Sequence, residues 1–132
     1  MKVQELFNLT IPLIDELDNA GKITPNNTKD YAYRTPAILS ILQAENINKN
    51  DYKDPNTGFV TIPTLSSMED ELAVDDHVAT TVLIYGLAAQ LVATEKKSLA
   101  AFFSEKYTEN KFLLNSETEE TEIQDVFKYR VW

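Results

Sequence analysis

Residues 78–94 read VATTVLIYGLAAQLVAT, and this stretch decides the fold. Wound as a helix, it places apolar side chains in nearly every direction: Val82, Leu83, Ile84, Tyr85, Leu87, Ala88, Ala89, Leu91, Val92 and Ala93. A helix that is apolar all round is stable only when it is covered all round. The stretch therefore predicts a central helix with other elements packed about it. Asp75 is placed to be its N-cap, and Asp76 adds negative charge where the helix dipole favours it. Gly86 costs about 1 kcal/mol against alanine inside a helix, so its position predicts a neighbouring backbone in close approach. The run from Val82 to Ala93 is broken by Gly86 and Gln90 and is too short to span a bilayer.

Working outward, Glu95, Lys96 and Lys97 form a tight turn, and Ser98 is placed to cap a further helix reaching to about Leu114. Leu99, Phe102, Phe103, Tyr107 and Leu114 are its expected inner stripe, with Lys106 and Lys111 outside. So short a turn predicts antiparallel neighbours. On the N-terminal side, Val3, Leu6, Phe7, Leu9, Leu13, Ile14 and Leu17 recur at helical spacing, which predicts a first helix from about Lys2 to Ala20. Pro12 interrupts it and Gly21 supplies a stop. A second helix is expected from about Thr28 to Asn48, with Tyr31, Ala32, Ile38, Leu39, Ile41, Leu42 and Ile47 inward. Thr35 and Pro36 fit either a fresh helix start or a kink; the kink is preferred, because it gives Tyr31 and Tyr33 an element from which to pack. From Asn48 to Pro63 the turn residues Asn50, Asp51, Asp54, Pro55, Asn56 and Gly58 predict a long loop. Residues 59–62 form a short extended piece within it, and Ser66 or Ser67 is placed to cap a single turn through Leu72.

The fold class expected is all-α: a bundle of about four main helices over residues 1–116, with a long central loop. Residues 117–132 are expected to be an acidic linker followed by an extended, β-like arm. The arm reading rests on Ile123, Val126, Phe127, Tyr129, Val131 and Trp132, which are β-branched or aromatic and partly alternate. A lone strand needs partners for its backbone and its apolar side chains. These six residues are therefore the expected protein interface.

Composition narrows the function. Of the 132 residues, 21 are Asp or Glu and 12 are Lys or Arg, giving a formal net charge of −9. No basic stripe is present to engage phosphates, so neither sequence-specific nucleic-acid binding nor an anionic membrane surface is expected. With Cys at 0, thiolate metal sites, disulfides and cysteine nucleophiles drop out. The acidic residues Glu5, Asp15 and Glu16 fall where a secretory signal would need an apolar core.

The chemical motifs read blandly. His77 beside Asp75 and Asp76 suggests a ligand set, but consecutive helical residues point apart and rarely chelate one ion; exposed first-turn residues are the better reading. Residues 54–58, DPNTG, place glycine fifth where a calcium loop needs it sixth, and no glutamate stands twelfth. Glu69, Asp70 and Glu71 with Asp75 and Asp76 make an acidic patch in a polar connection, where burial to split carboxylate pKa values is not expected. Tyr31, Tyr33 and Tyr52 lack the basic groove that base-stacking sites carry, which leaves core or interface packing. Without a phosphate loop or a nucleophile motif, no catalytic, metal or cofactor residue is assigned, and an enzyme is not expected.

The order of elements resembles the bacteriophage head–tail connector, or adaptor, family. The stretches that carry the resemblance are VQELFNLTIPLIDELD (3–18), YAYRTPAILSILQAE (31–45), FVTIPTLSSMEDELAVDD (59–76), HVATTVLIYGLAAQLVATE (77–95) and SLAAFFSEKYTEN (98–110). The resemblance implies a virion-neck protein made in the host cytoplasm. It implies a ring of identical subunits between the portal and tail-side connector proteins, assembled by helix packing and by exchange of arms such as Ile123–Trp132. An acidic chain suits a channel that must pass DNA without gripping it. The competing expectation is a small acidic helical regulator or inhibitor that occupies a basic site on one host or phage protein.

Overall fold

The computed structural model describes residues 1–14 and 25–129, with side chains placed for 1–14 and 28–114. Four helical rods make an all-α bundle: α1 (Val3–Leu13), α2 (Pro25–Asn46), a third rod, and α5 (Lys97–Tyr129). The third rod is one continuous helix in three parts. It begins as α3 (Asp76–Val78), loosens into a π-helical stretch (Ala79–Leu83), and continues as α4 (Ile84–Val92). Both junction residues, Val78 and Ile84, keep right-handed helical dihedrals, so the rod does not break. Among the described residues there is no strand, only the isolated bridges Lys2–Glu71 and Lys53–Val60.

α4 is the hub, as its sequence requires. It packs on α1, α2 and α5. Ile84, Gly86, Leu87, Ala88, Ala89, Leu91 and Val92 are all buried. Gln90 alone of its turns faces water. At Gly86 the close neighbours are side chains rather than the expected backbone: an added Cβ would sit 3.0 Å from both Leu42 methyls and from Tyr107 Cδ2. Gly86 therefore leaves room for residues of α2 and α5 to meet over α4.

α5 runs antiparallel to this rod. Asn110 Nδ2 donates to the Thr81 carbonyl at 2.7 Å, and the Phe103 ring lies 6.3 Å from that of Tyr85. Phe103 is buried, but Phe102, expected beside it, is 57% exposed. Adjacent helical residues are about 100° apart, and only one of the two can face α4.

α2 is a single helix through Pro36. The Thr35 hydroxyl settles the choice between kink and restart, because it bonds back to the Tyr31 carbonyl at 2.6 Å instead of forward to the next turn. Pro36 thus sits inside a helix that loses one backbone bond and tolerates it. Along α1, Val3, Leu6, Phe7 and Ile11 are buried while Leu9 and Leu13 are not. Pro12 falls in the last turn, where the Ile14 amide closes onto Thr10 and Ile11. The expected Leu17 and the Gly21 stop lie outside the described residues.

The long connection is held by polar side chains of α2. Gln43 is fully buried; its amide nitrogen donates to the Pro63 carbonyl at 3.0 Å and its oxygen accepts from the Ala73 amide at 2.7 Å. Ser40 engages the Leu65 backbone in the same manner. The chain between Pro63 and Ala73 is thereby strapped across α2. Ser67 caps its single turn, accepting from Glu69 at 3.2 Å.

The C-terminal expectation is corrected. The backbone is helical to Tyr129, through the residues read as an acidic linker and the start of an extended arm. Residues 115–129 hold neither glycine nor proline to stop a helix already under way, and glutamate is a good helix former. The clustered acidic residues do not interrupt the backbone of α5.

Candidate interaction surfaces

The titratable groups come first, because they test for chemistry. His77 is exposed near the start of the third rod, beside Thr81, Asn110 and Leu113 at a shallow recess. Asp75 stands at the N-cap position but makes no side-chain cap bond; its carbonyl accepts from Ala79 at 2.9 Å instead. Among the described residues no group of three or more His, Asp or Glu side chains is placed to hold a metal ion. Among them also, no helix is long and apolar enough to cross a membrane.

The acidic patch is exposed and is also structural. The Met1 ammonium lies 3.1 Å from both Glu71 and Asp76, and Lys2 Nζ lies 3.3 Å from Glu69. Asp76 and Glu71 hold the Met1 ammonium above its ordinary pKa through hydrogen bonds. Beneath these pairs the backbone of Met1–Gln4 bonds to residues 68–72, with Val3 donating to Asp70 at 3.0 Å and Leu72 to Met1 at 2.9 Å. Asp70 is held below the usual carboxylate range by the amides of Ser66 and Ser67. Asp54 is lowered likewise by the Asn56 amide, inside a tight loop whose Gly58 takes the left-handed φ of 74°. These carboxylates order loops.

Tyr107 is the strongest perturbation. Burial pushes its hydroxyl up to about 12, and the Glu45 carboxylate accepting from it at 2.6 Å pushes the same way. The side-chain bond with Asn46 opposes the shift. Together with Lys111, 3.7 Å from Glu45, these residues lock α2 to α5. Tyr31, buried and bonded to Glu95 at 2.8 Å, performs a similar task at the other end. Lys96 and Arg34 donate to the last carbonyls of neighbouring helices, Lys96 to Ile14 at 3.2 Å and Arg34 to Leu91 at 3.1 Å. Cations favour helix C-termini, so these contacts also neutralise dipole ends.

What remains is apolar surface. Leu9 and Leu13 stand out from α1, 47% and 39% exposed. Phe59 at 74% and Val60 at 43% form an apolar tip on the loop closed by the Lys53–Val60 bridge. Phe102, Phe112 and Leu113 are exposed on α5, and Tyr33 and Ile41 on α2. A groove of about 590 Å³ runs beside Tyr33, Pro36, Ala37, Leu65 and Gln90. Sequence reading placed Leu9, Leu13, Ile41 and Phe102 inside; their exposure is the feature it missed. Of the residues expected to form the interface, Ile123, Val126, Phe127 and Tyr129 lie on α5 beyond the described side chains, and Val131 and Trp132 lie outside the described residues. No protein-family model, curated protein or solved structure matches this chain significantly.

Proposed function

We propose that this chain is a non-catalytic assembly subunit of the head–tail connector kind, contacting several neighbours at once in a ring between portal and tail. The observation that carries the reading is the placement of exposed apolar residues on three separate elements: Leu9 and Leu13 on α1, Phe59 and Val60 on the central loop, and Phe112 and Leu113 on α5. Single exposed apolar residues are ordinary, but grouped ones mark contact surfaces. An inhibitor of one partner needs one such surface, whereas a ring subunit needs two unlike ones plus axial contacts. The element order that resembles the connector family supports the same reading, as does the net charge of −9 for a protein lining a DNA channel.

The test replaces these residues singly by glutamate (Leu9→Glu, Phe59→Glu, Phe112→Glu) and measures incorporation into particles. Each variant is expected to fold, since each site is exposed, and at least two should enter particles poorly. Normal incorporation of all three variants would overturn the reading.

A further inference from the structure

The outward ridge of α2 is self-complementary. Lys29, Tyr33, Ala37, Ile41 and Glu45 follow one another at four-residue spacing, and every one is exposed. Such residues form one continuous ridge on a helix, here spanning about 24 Å. The side of α2 that meets the core carries Tyr31, Thr35, Leu39 and Leu42, all buried. The middle of the ridge, Tyr33, Ala37 and Ile41, therefore faces away from the bundle, and Glu45 lies at its α5 edge.

The order of residue types along that ridge is informative. A cation stands at one end, an anion at the other, two large apolar side chains lie inside them, and the smallest residue is at the centre. Turn a second copy end for end about Ala37. Lys29 then faces Glu45 of the second copy, Tyr33 faces its Ile41, and Ala37 faces its Ala37. Interdigitation of four-residue ridges is the commonest helix crossing in globular proteins, at about −50°. Alanine at the crossing point lets the axes approach. The charged ends fall on the rim, where interface charges belong. The groove beside Tyr33, Ala37 and Leu65 gives the incoming Ile41 a recess.

The exposed stripe of α5 fails the same test. On α5, turning a copy about its middle sets Glu105 against Glu109 between Phe102 and Phe112, and like charges in opposition are unfavourable. Glu45 already accepts from Tyr107 and lies 3.7 Å from Lys111, yet its side chain keeps 44% of its exposure and remains open to a second cation.

We propose that α2 is a homodimer face, closed by a two-fold axis at Ala37 and bracketed by two Lys29–Glu45 pairs between copies. This contact pairs identical faces, whereas a ring joins unlike ones. It does not rest on the connector reading, and either can fail alone.

The experiment is sedimentation of the full chain across concentration, with circular dichroism confirming that each variant folds. The parent chain is expected to dimerise reversibly. Ile41→Asp should raise the dissociation constant by at least about tenfold, as removal of a central apolar anchor does. Lys29→Glu alone and Glu45→Lys alone should each weaken self-association, while the two variants mixed should pair with each other, because every contact is then again between opposite charges. A parent chain that stays monomeric, dimers indifferent to Ile41→Asp, or a mixture no tighter than either variant alone would overturn the proposal.

Discussion

Ser40 Oγ sits between the two backbone polar groups of Leu65, accepting from its amide at 2.6 Å and donating to its carbonyl at 3.0 Å. One turn further along α2, Gln43 repeats the device on Pro63 and Ala73. Two polar side chains thus satisfy a strap that has neither helix nor sheet to satisfy it, as buried backbone groups require. Removing Gln43 takes the partner from a part-buried amide and a part-buried carbonyl, and empties the space of a fully buried side chain. Gln43→Ala is therefore expected to cost about 2–4 kcal/mol, and Ser40→Ala about 1–2 kcal/mol. Urea unfolding measures both, and the Ala73 amide should lose its protection from hydrogen exchange in Gln43→Ala. Wild-type stability in that variant would mean that the strap is held by its apolar contacts alone.

Tyr107 gives a pH dependence. Its folded pKa of about 12 lies above the ordinary value of 10.0, so the folded state holds the phenolic proton more tightly than the unfolded chain does. The sign follows from linkage: stability is unaffected below about pH 10 and falls as pH rises from there through about 12. In an absorbance titration of the six tyrosines, Tyr107 is expected to contribute a late component. Tyr107→Phe should remove that late component. Glu45→Gln should bring it down only in part, because burial is the larger cause. A Glu45→Gln variant with an unchanged titration would show that the carboxylate plays no part.

Gly86 separates two opposing effects. Alanine there gains about 1 kcal/mol of helix propensity, but its Cβ would press on Leu42 and Tyr107 at 3.0 Å. Both neighbours are side chains that can shift by a few tenths of an ångström. Gly86→Ala is expected to fall within about 1 kcal/mol of the parent, and Gly86→Leu to cost more than about 2 kcal/mol through overpacking. Thermal melts of the pair check this. An equal melting point for Gly86→Leu would mean that α2 and α5 do not close over α4 as described.

How much of this was legible beforehand follows from periodicity. The hub helix could be read because an all-apolar stretch has one outcome in water, and the antiparallel α4–α5 pair because the turn between them is short. Pro36 within α2 was readable as a kink, although only the Thr35 hydroxyl decides it. Less legible were residues on the edge of an apolar stripe. Phe102 and Phe103 look alike in the sequence, and only the docking angle of α5 chooses between them. The strap was invisible as well, since Ser40 and Gln43 act on residues some 20–30 positions away, and no local pattern announces such a bond. The same holds for the acidic patch, whose three ion pairs with Met1 and Lys2 join residues more than 60 positions apart.

The far end of α5 carries four of the residues expected to dock on other subunits, Ile123, Val126, Phe127 and Tyr129. All buried residues described lie between Val3 and Phe103. Deleting residues 117–132 is expected to leave the core between Val3 and Phe103 folded while lowering incorporation into particles. A truncated chain that incorporates normally would remove Ile123–Trp132 from the interface.

The central claim is that many copies of this chain act together on one template. Native mass measurement of a portal assembly purified from cells expressing both proteins tests it most directly. The account predicts a closed set of equivalent copies in one fixed ratio to the portal subunits. A portal carrying no copies, or the chain recovered only as a one-to-one complex with a single other protein, would contradict it.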